Sequence, residues 1–209
     1  MSLKNKKVLV TAGPTWVPID AVRVISNTAS GETGNMLARE LGRRGAQVTL
    51  LMGPAHTGNG KIHKARVVAF RFFDELKKEL FSRLRSGRYD ILIHAAAVSD
   101  YRLRYPLSGK VDSGKRALTL TLVPTEKLIL SAKKLGKKIF VVGFKFEPHA
   151  ARRKLIREAA TLLAKGACDM VVANTCTAGR YRAYIVRKDT VRGPFSDKKG
   201  LARALAEQL

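Results

Sequence analysis

The sequence predicts an α/β domain, a doubly wound, mostly parallel sheet with helices on both faces and a loop and strand flap over residues 101–124. Three observations predict it. Near-continuous apolar runs recur at "KVLVTA", "QVTLLM", "ARVVAF", "YDILIHAAA", "KIFVVGF" and "CDMVVAN", as expected of strands buried on both sides. Most of these runs alternate with segments of helical periodicity, the order that builds parallel sheets from strand, helix, strand units. The 209 residues are 45% hydrophobic and 27% charged, a globular composition long enough to bury roughly 70% of the surface of the unfolded chain. With no internal repeat and no linker, residues 1–209 are expected to form one domain.

Val8, Leu9 and Val10 make the first strand, and Gly13 the tight turn after it. The helix that should follow at once is postponed by an excursion carrying Arg23, Asn27, Ser30, Gly31 and Gly34. It comes as "GNMLARELGRRG", apolar at helical spacing and stopped by Gly45. "FDELKKELFSRLRSG" repeats the pattern with Leu76, Leu80, Leu84 and a stop at Gly87, and "EPHAARRKLIREAATLLAKG" repeats it with a stop at Gly166. Tyr101 to Pro124 breaks the rhythm. A loop containing Gly, Ser and Pro leads into "ALTLTLV", whose alternation predicts a half-exposed strand. The C-terminal stretch from Ala183 reads as a strand, a turn and a closing helix.

Forty Lys and Arg against 16 Asp and Glu give a net charge of +24, a field that attracts polyanions such as nucleotides and phosphorylated metabolites. The basic runs "KKLGKK", "ARRKLIR" and "GRYRAYIVRK" are spread along the chain and read as solvated faces. Nucleic acid is therefore expected to bind only nonspecifically, at low salt. No apolar stretch approaches the ~20 residues of a membrane span and no signal-like core opens the chain, so a cytoplasmic location is expected. Cys168 and Cys176 have no His or Cys at metal-ligand spacing, which predicts free thiols and no protein metal site. His56, His63, His94 and His149 form no catalytic pattern.

Parallel sheets bind ligands beyond the carboxyl ends of their strands. The residues there include Gly13, the "SGETG" run with Gly31 and Gly34 where a helix begins, Ala96 to Asp100, Phe144 and Asn174. Amides at a helix N-terminus favour anions, Arg23 is a forked donor for carboxylate or phosphate, and Asn27 offers donor and acceptor without charge. An ordinary nicotinamide site fits poorly, because the second strand ends in "LLMGPAH" with no acid to read a ribose. A nicotinamide-dependent reductase and a basic RNA-binding protein stay open as alternatives at this level.

The segments "TAGPTWVPIDAVRVISNTASGETG", "HAAAVSDYR", "GKVDS", "VVGFKFE" and "VVAN" fall in the order and spacing of phosphopantothenoylcysteine synthetase, which the chain resembles from Lys7 to about Lys188. The resemblance implies a Rossmann-like fold and a cytoplasmic homodimeric ligase of coenzyme A biosynthesis. It would join 4'-phosphopantothenate to L-cysteine through an acyl-nucleotide, releasing pyrophosphate and a nucleoside monophosphate. The co-substrate would be CTP or ATP with Mg2+. By the same resemblance Gly13, Ser30, Gly31, Gly34, Phe144 and Asn174 would hold the nucleotide. Asn27, Ala96, Ala97 and Asp100 would hold phosphopantothenate, with Arg23 supplied by the other subunit, and Asn27 and Lys110 would serve catalysis. The chain looks like the stand-alone type, so no flavin is expected and a separate flavin-dependent decarboxylase is a candidate partner. Three departures stand out. Ala29 replaces a family serine, "KVDSGK" is closer to stand-alone and eukaryotic members and leaves CTP and ATP both open, and "PTEK" replaces an "N-P-D" helix start. Ala29 also admits a divergent paralogue that keeps the nucleotide pocket without the ligase step.

Overall fold

A computed structural model describes residues 3–54, 65–105, 107–112, 114, 116–136 and 138–209. His56 and His63, and Pro106, Ser113 and Lys115 of the flap, lie outside the described residues. An eight-stranded sheet organises the chain. Its parallel part comprises β1 (Lys7–Ala12), β4 (Gln47–Met52), β5 (Ala65–Ala69), β6 (Ile91–His94), β9 (Phe140–Phe146) and β10 (Met170–Thr177). β11 (Arg180–Val186) and β12 (Val191–Phe195) extend it antiparallel, and the spatial order is β12-β11-β10-β9-β6-β1-β4-β5. After β1 the chain builds outward through β4 and β5, then returns to place β6 on the other side of β1. Strand order reverses at that seam, and the crevice it leaves at the carboxyl ends is where open α/β sheets bind ligands.

Both faces of the sheet are covered. On one side Val8, Val10 and Ile93 pack with Leu37 and Leu41 of α1 (Glu32–Arg43) and with Leu201 and Leu205 of α5 (Lys198–Ala206). On the other, Leu9, Leu92 and Val141 pack with α2 (Phe73–Arg85), α3 (Leu128–Leu135) and α4 (Arg152–Ala164) through Leu76, Leu80, Leu128 and Leu155. Val8, Leu9 and Val10 are fully buried; each such side chain contributes about 1.5–3 kcal/mol of burial. That is why the near-continuous apolar runs, and not alternating ones, mark the central strands. The expected stops Gly45, Gly87 and Gly166 each lie just past the ends of α1, α2 and α4.

Several elements differ from the sequence reading. The excursion is a β-hairpin, β2 (Trp16–Pro18) against β3 (Val24–Ser26). Trp16 anchors it, its amide donating to the Arg71 carbonyl (2.8 Å) and its ring meeting Phe72 edge-on at 6.3 Å. Of "ALTLTLV" only the end is a strand, β8 (Leu122–Pro124), paired with β7 (Tyr101–Leu103). Residues 117–119 precede the strand and are exposed whatever their parity, so alternation there has no face to bury, whereas Leu103 of β7 is buried. The helix α3 begins directly after "PTEK", where the resemblance puts a helix start. The C-terminal region carries the additional edge strand β12, which tolerates Pro194 because an outer strand has amides with no ladder partner to serve.

Candidate active site

The seam between β1 and β6 continues past the strand ends. Ala95 N donates to Thr11 O (3.0 Å), Ala97 N to Gly13 O (2.9 Å), and Thr15 N to Ala97 O (3.2 Å). Gly13 adopts φ +79°, and a Cβ there would stand 3.1 Å from the backbone of Gly53. The first turn is thus a close crossing of two loops that a side chain would prop open. Ala97 O also accepts from Asn27 Nδ2 at 3.0 Å, which fixes the end of the hairpin against the seam. Asn27 is otherwise exposed.

Asp20, at the hairpin tip, organises the other edge. Its carboxylate accepts from the amides of Val22 (2.9 Å), Arg23 (2.8 Å) and Val111 (3.0 Å) and from Arg23 Nη1 (2.8 Å). Arg23 Nη1 reaches Val111 O at 3.2 Å, and Ala21 N donates to Gly109 O at 3.0 Å. Exposed Lys110 therefore sits between two residues pinned to the hairpin. Arg23, Asn27, Ala97 and Lys110, dispersed over more than eighty positions, lie along one hydrogen-bonded edge. The Val111 and Val22 amides are the main reason that the Asp20 carboxyl is lowered from 3.8 to about 2; those of Arg23 and its guanidinium add to them. Since its folded value lies below the unfolded one, Asp20 stabilises the clasp above about pH 3.8, and that contribution is lost as pH falls toward 2. Asp20→Ala is expected to open the clasp at neutral pH, with amide exchange at Val111 roughly tenfold or more faster. Unchanged exchange would show that other contacts hold the flap.

Beyond β6 and β9, a cleft of about 300 Å³ opens toward α3 and α4. Leu128, Ile129 and Leu162 give it an apolar wall, and His94, Ala96 and Asp100 line the β6 side. Lys127, Lys145 and Lys165 bring positive charge. Asp100 is ion-paired with Lys127, and Ala96 N donates to Thr11 Oγ1 at 3.2 Å. A more open depression of about 660 Å³ lies between α1, β11 and α5, lined by Glu32, Tyr181 and Lys198 among others. None of the sequence-predicted site residues lines it, and it is not at the seam.

The remaining predicted residues gather on the α1 side. Gly31 is the N-cap of α1, and Ser30 Oγ accepts weakly from Glu32 N (3.4 Å). Gly34 lies in the first turn, where a Cβ would overlap that of Ala12. The Phe144 ring packs with the α1/α5 core although the residue also borders the cleft. Asn174 Oδ1 is buried with no hydrogen-bond partner, an acceptor that a ligand donor would satisfy. The structure thus does not gather the expected nucleotide residues in one pocket: Gly13 sits at the seam turn, Phe144 borders the cleft, and Ser30, Gly31, Gly34 and Asn174 lie outside its lining. Sequence reasoning also missed Asp20, His94 and Lys127. Asp20 had a signal in its place three residues before Arg23 in a turn, whereas Lys127 had none. Burial pushes the Cys168 thiol up to about 12, aided by the Asp169 charge, which makes it a packing residue. Among the described residues no three His, Cys, Asp or Glu side chains cluster as metal ligands, and no helix is long and apolar enough to cross a membrane.

A family profile described as the DNA/pantothenate metabolism flavoprotein C-terminal domain matches residues 3–209. The coenzyme A biosynthesis bifunctional protein CoaBC of Thermococcus kodakarensis is 38% identical over 212 residues, spanning 100% of this chain and 52% of that protein. The CoaBC protein of Borreliella burgdorferi is 31% identical over 214 residues, spanning 99% of this chain and 53% of that protein. The chain therefore covers about half the length of these relatives. The crystal structure of the DNA/pantothenate metabolism flavoprotein from Streptococcus pneumoniae superposes with a TM-score of 0.87 at 25% identity, covering 97% of each chain.

Proposed function

Because the chain belongs to the DNA/pantothenate metabolism flavoprotein C-terminal domain family, we propose that it is a cytoplasmic phosphopantothenate–cysteine ligase of coenzyme A biosynthesis, folded as one domain and acting as a homodimer. The observation that carries this reading is the single edge that ties Arg23, Asn27, Ala97 and Lys110 together near a lysine-rimmed cleft. Two anionic ligands can meet there. The phosphopantothenate carboxylate attacks the α-phosphorus of CTP or ATP and pyrophosphate leaves. The cysteine amine then attacks the acyl carbon, forming the amide and releasing the nucleoside monophosphate.

The cleft has the form of a nucleoside pocket, with an apolar wall inside and cations around it, so the triphosphate would point out toward the seam. Ala96 and Asp100, expected against phosphopantothenate, then meet the nucleotide as well. The pantothenoyl arm would run along Asn27 and Ala97, and Ser30, Gly31 and Gly34 would offer α1 amides to phosphate. Gly13 would act by shaping the turn. Phe144 would border the nucleoside from the end of β9, and Asn174 Oδ1 would accept from a ligand donor on the other side of the strand ends. Lys110 is a mobile point charge suited to follow phosphate charge as it shifts. Magnesium would arrive with the triphosphate, held mostly by phosphate oxygens. The nearby acids fit that minor role, since Asp100 and Glu126 are already paired with Lys127 and Lys77. When bound, the ion neutralises the leaving pyrophosphate.

The homodimer reading is supported by exposed apolar side chains on the hairpin and flap: Val22 (64% exposed), Val24, Ile25, Tyr105 (71% exposed) and Leu118. Arg23 lies on the same surface with Nη1 turned back to Asp20 and Val111, so each copy would offer its remaining donors to the partner's site. Mixing inactive Arg23→Ala and Asp100→Ala proteins is expected to restore partial turnover; verified subunit exchange without recovery would mean that sites are not shared. The decisive assay for the whole reading is pyrophosphate release with phosphopantothenate, cysteine and CTP or ATP in turn. Release with neither nucleotide would overturn the ligase.

A further inference from the structure

His94 ends β6 one layer above Leu92, on the face where the core gives way to the cleft. Its neighbours in register are Thr11 on β1 and Gly143 on β9. Strand by strand, the layer below is aliphatic, with Leu9, Leu92 and Val141, whereas this one is Thr, His and Gly. A leucine at position 94 would fit the pattern of the strand. An imidazole with 8% of its surface exposed is costly to bury unless its polar atoms are used.

One ring nitrogen is used by the protein. Nδ1 lies 2.9 Å from Thr11 Oγ1, and that hydroxyl is fully buried. Thr11 Oγ1 already accepts from Ala96 N at 3.2 Å. Among the described residues its hydrogen has one acceptor in reach, His94 Nδ1. A buried hydroxyl that kept its proton unused would carry a desolvation penalty, so Thr11 donates, Nδ1 accepts, and the ring proton resides on Nε2. Nε2 makes no hydrogen bond among the described residues, and His94 lines the cleft.

We infer that His94 is a specificity residue of the site, its neutral Nε2–H held ready by Thr11 to donate to an uncharged acceptor on the nucleotide base, a keto oxygen or ring nitrogen, at the inner end of the cleft. The inference rests on the reading of the cleft as the nucleoside pocket. Burial lowers the imidazole from 6.5 to about 4, so it stays neutral at physiological pH and suits a neutral acceptor, while phosphate is left to the lysines. Ala96 couples the two functions. The same Thr11 hydroxyl that fixes the ring holds the Ala96 amide and so sets the path of the strand end past the ligand.

The test combines nitrogen-15 NMR of the His94 imidazole with steady-state kinetics of the full chain. In the free protein Nδ1 should show the shift of an unprotonated acceptor and Nε2 that of a protonated nitrogen. The Nε2–H signal should move on adding CTP or ATP, but not inorganic pyrophosphate. His94→Leu should raise the nucleotide KM about 10- to 100-fold, with the KM values for phosphopantothenate and cysteine unchanged. His94→Gln, which keeps an N–H donor, should recover part of the loss. A protonated Nδ1, an Nε2–H signal indifferent to a nucleotide that binds, or a His94→Leu protein altered only in melting temperature would each overturn the assignment. If the wild type binds neither nucleotide, the pocket reading fails and the assignment with it; that outcome is recognised by the absence of any nucleotide-induced shift anywhere in the spectrum.

Discussion

Asn27→Asp is expected to lower turnover about 10²–10³-fold, the range seen when one preorganised donor is removed from a reacting centre, while leaving the fold intact. Asn27 Nδ2 donates to Ala97 O at 3.0 Å, and among the described residues this bond alone joins the hairpin's exit to the seam through a side chain. An aspartate has no hydrogen to give. Its carboxylate would face a carbonyl oxygen, swing away, and place negative charge where a carboxylate and a triphosphate must meet. The residue is exposed, so both forms can be solvated when the protein is free and the melting temperature should hardly move. Pyrophosphate release and a thermal melt, measured together, separate the two effects. Turnover equal to wild type would take Asn27 out of the site.

That a central sheet with helices on both faces could be read from the chain follows from what buried strands require. A strand covered on both sides has no polar face, so "KVLVTA" and "YDILIHAAA" are conspicuous whatever surrounds them. Elements whose partners are remote or few left weaker traces. The hairpin strands are three residues each and owe their pairing to Trp16 on Phe72 and to the Asp20 turn, neither of which periodicity records. The helix α3 had a signal, Leu128, Ile129, Ala132 and Leu135 at helical spacing, but it followed an alternating run that drew attention to strand. Arg23 and Asn27 stood out as polar groups of the excursion, whereas Lys110 came from resemblance alone. The assembly of Arg23 with the loop of Lys110 came from Asp20, and that of Asn27 with the seam from Ala97 O; neither makes a mark in composition. His94 forms no pattern with the other histidines in the chain; its pairing with Thr11 and its place at the cleft appear only when β1 and β6 are side by side.

Gly34→Ala sets two effects against each other and is expected to destabilise the protein. In an exposed helix the change would gain about 1 kcal/mol, since alanine orders more cheaply than glycine. Here the new Cβ would overlap that of Ala12 and lie 3.3 Å from its Cα. Both atoms are fixed by backbone, so no rotamer change relieves the overlap. β1 is held in the middle of the sheet by β4 and β6, so α1 must yield. As α1 lifts, Leu37, Ala38 and Leu41 withdraw from Val8 and Val10. Overpacking of this kind costs about 1–3 kcal/mol or more, which exceeds the gain in propensity. The net loss should lower the melting temperature by about 2–4 °C per kcal/mol in a chain of this size. It should also move the Gly31 end of α1 and so weaken nucleotide binding. Ala12→Gly removes the other partner in the overlap. In the double variant the added methyl finds space, and stability should recover beyond the sum of the single changes, the sign of a direct clash. A Gly34→Ala protein as stable as wild type would mean that α1 is not packed this tightly on β1, and that Gly34 is there for what approaches the helix end.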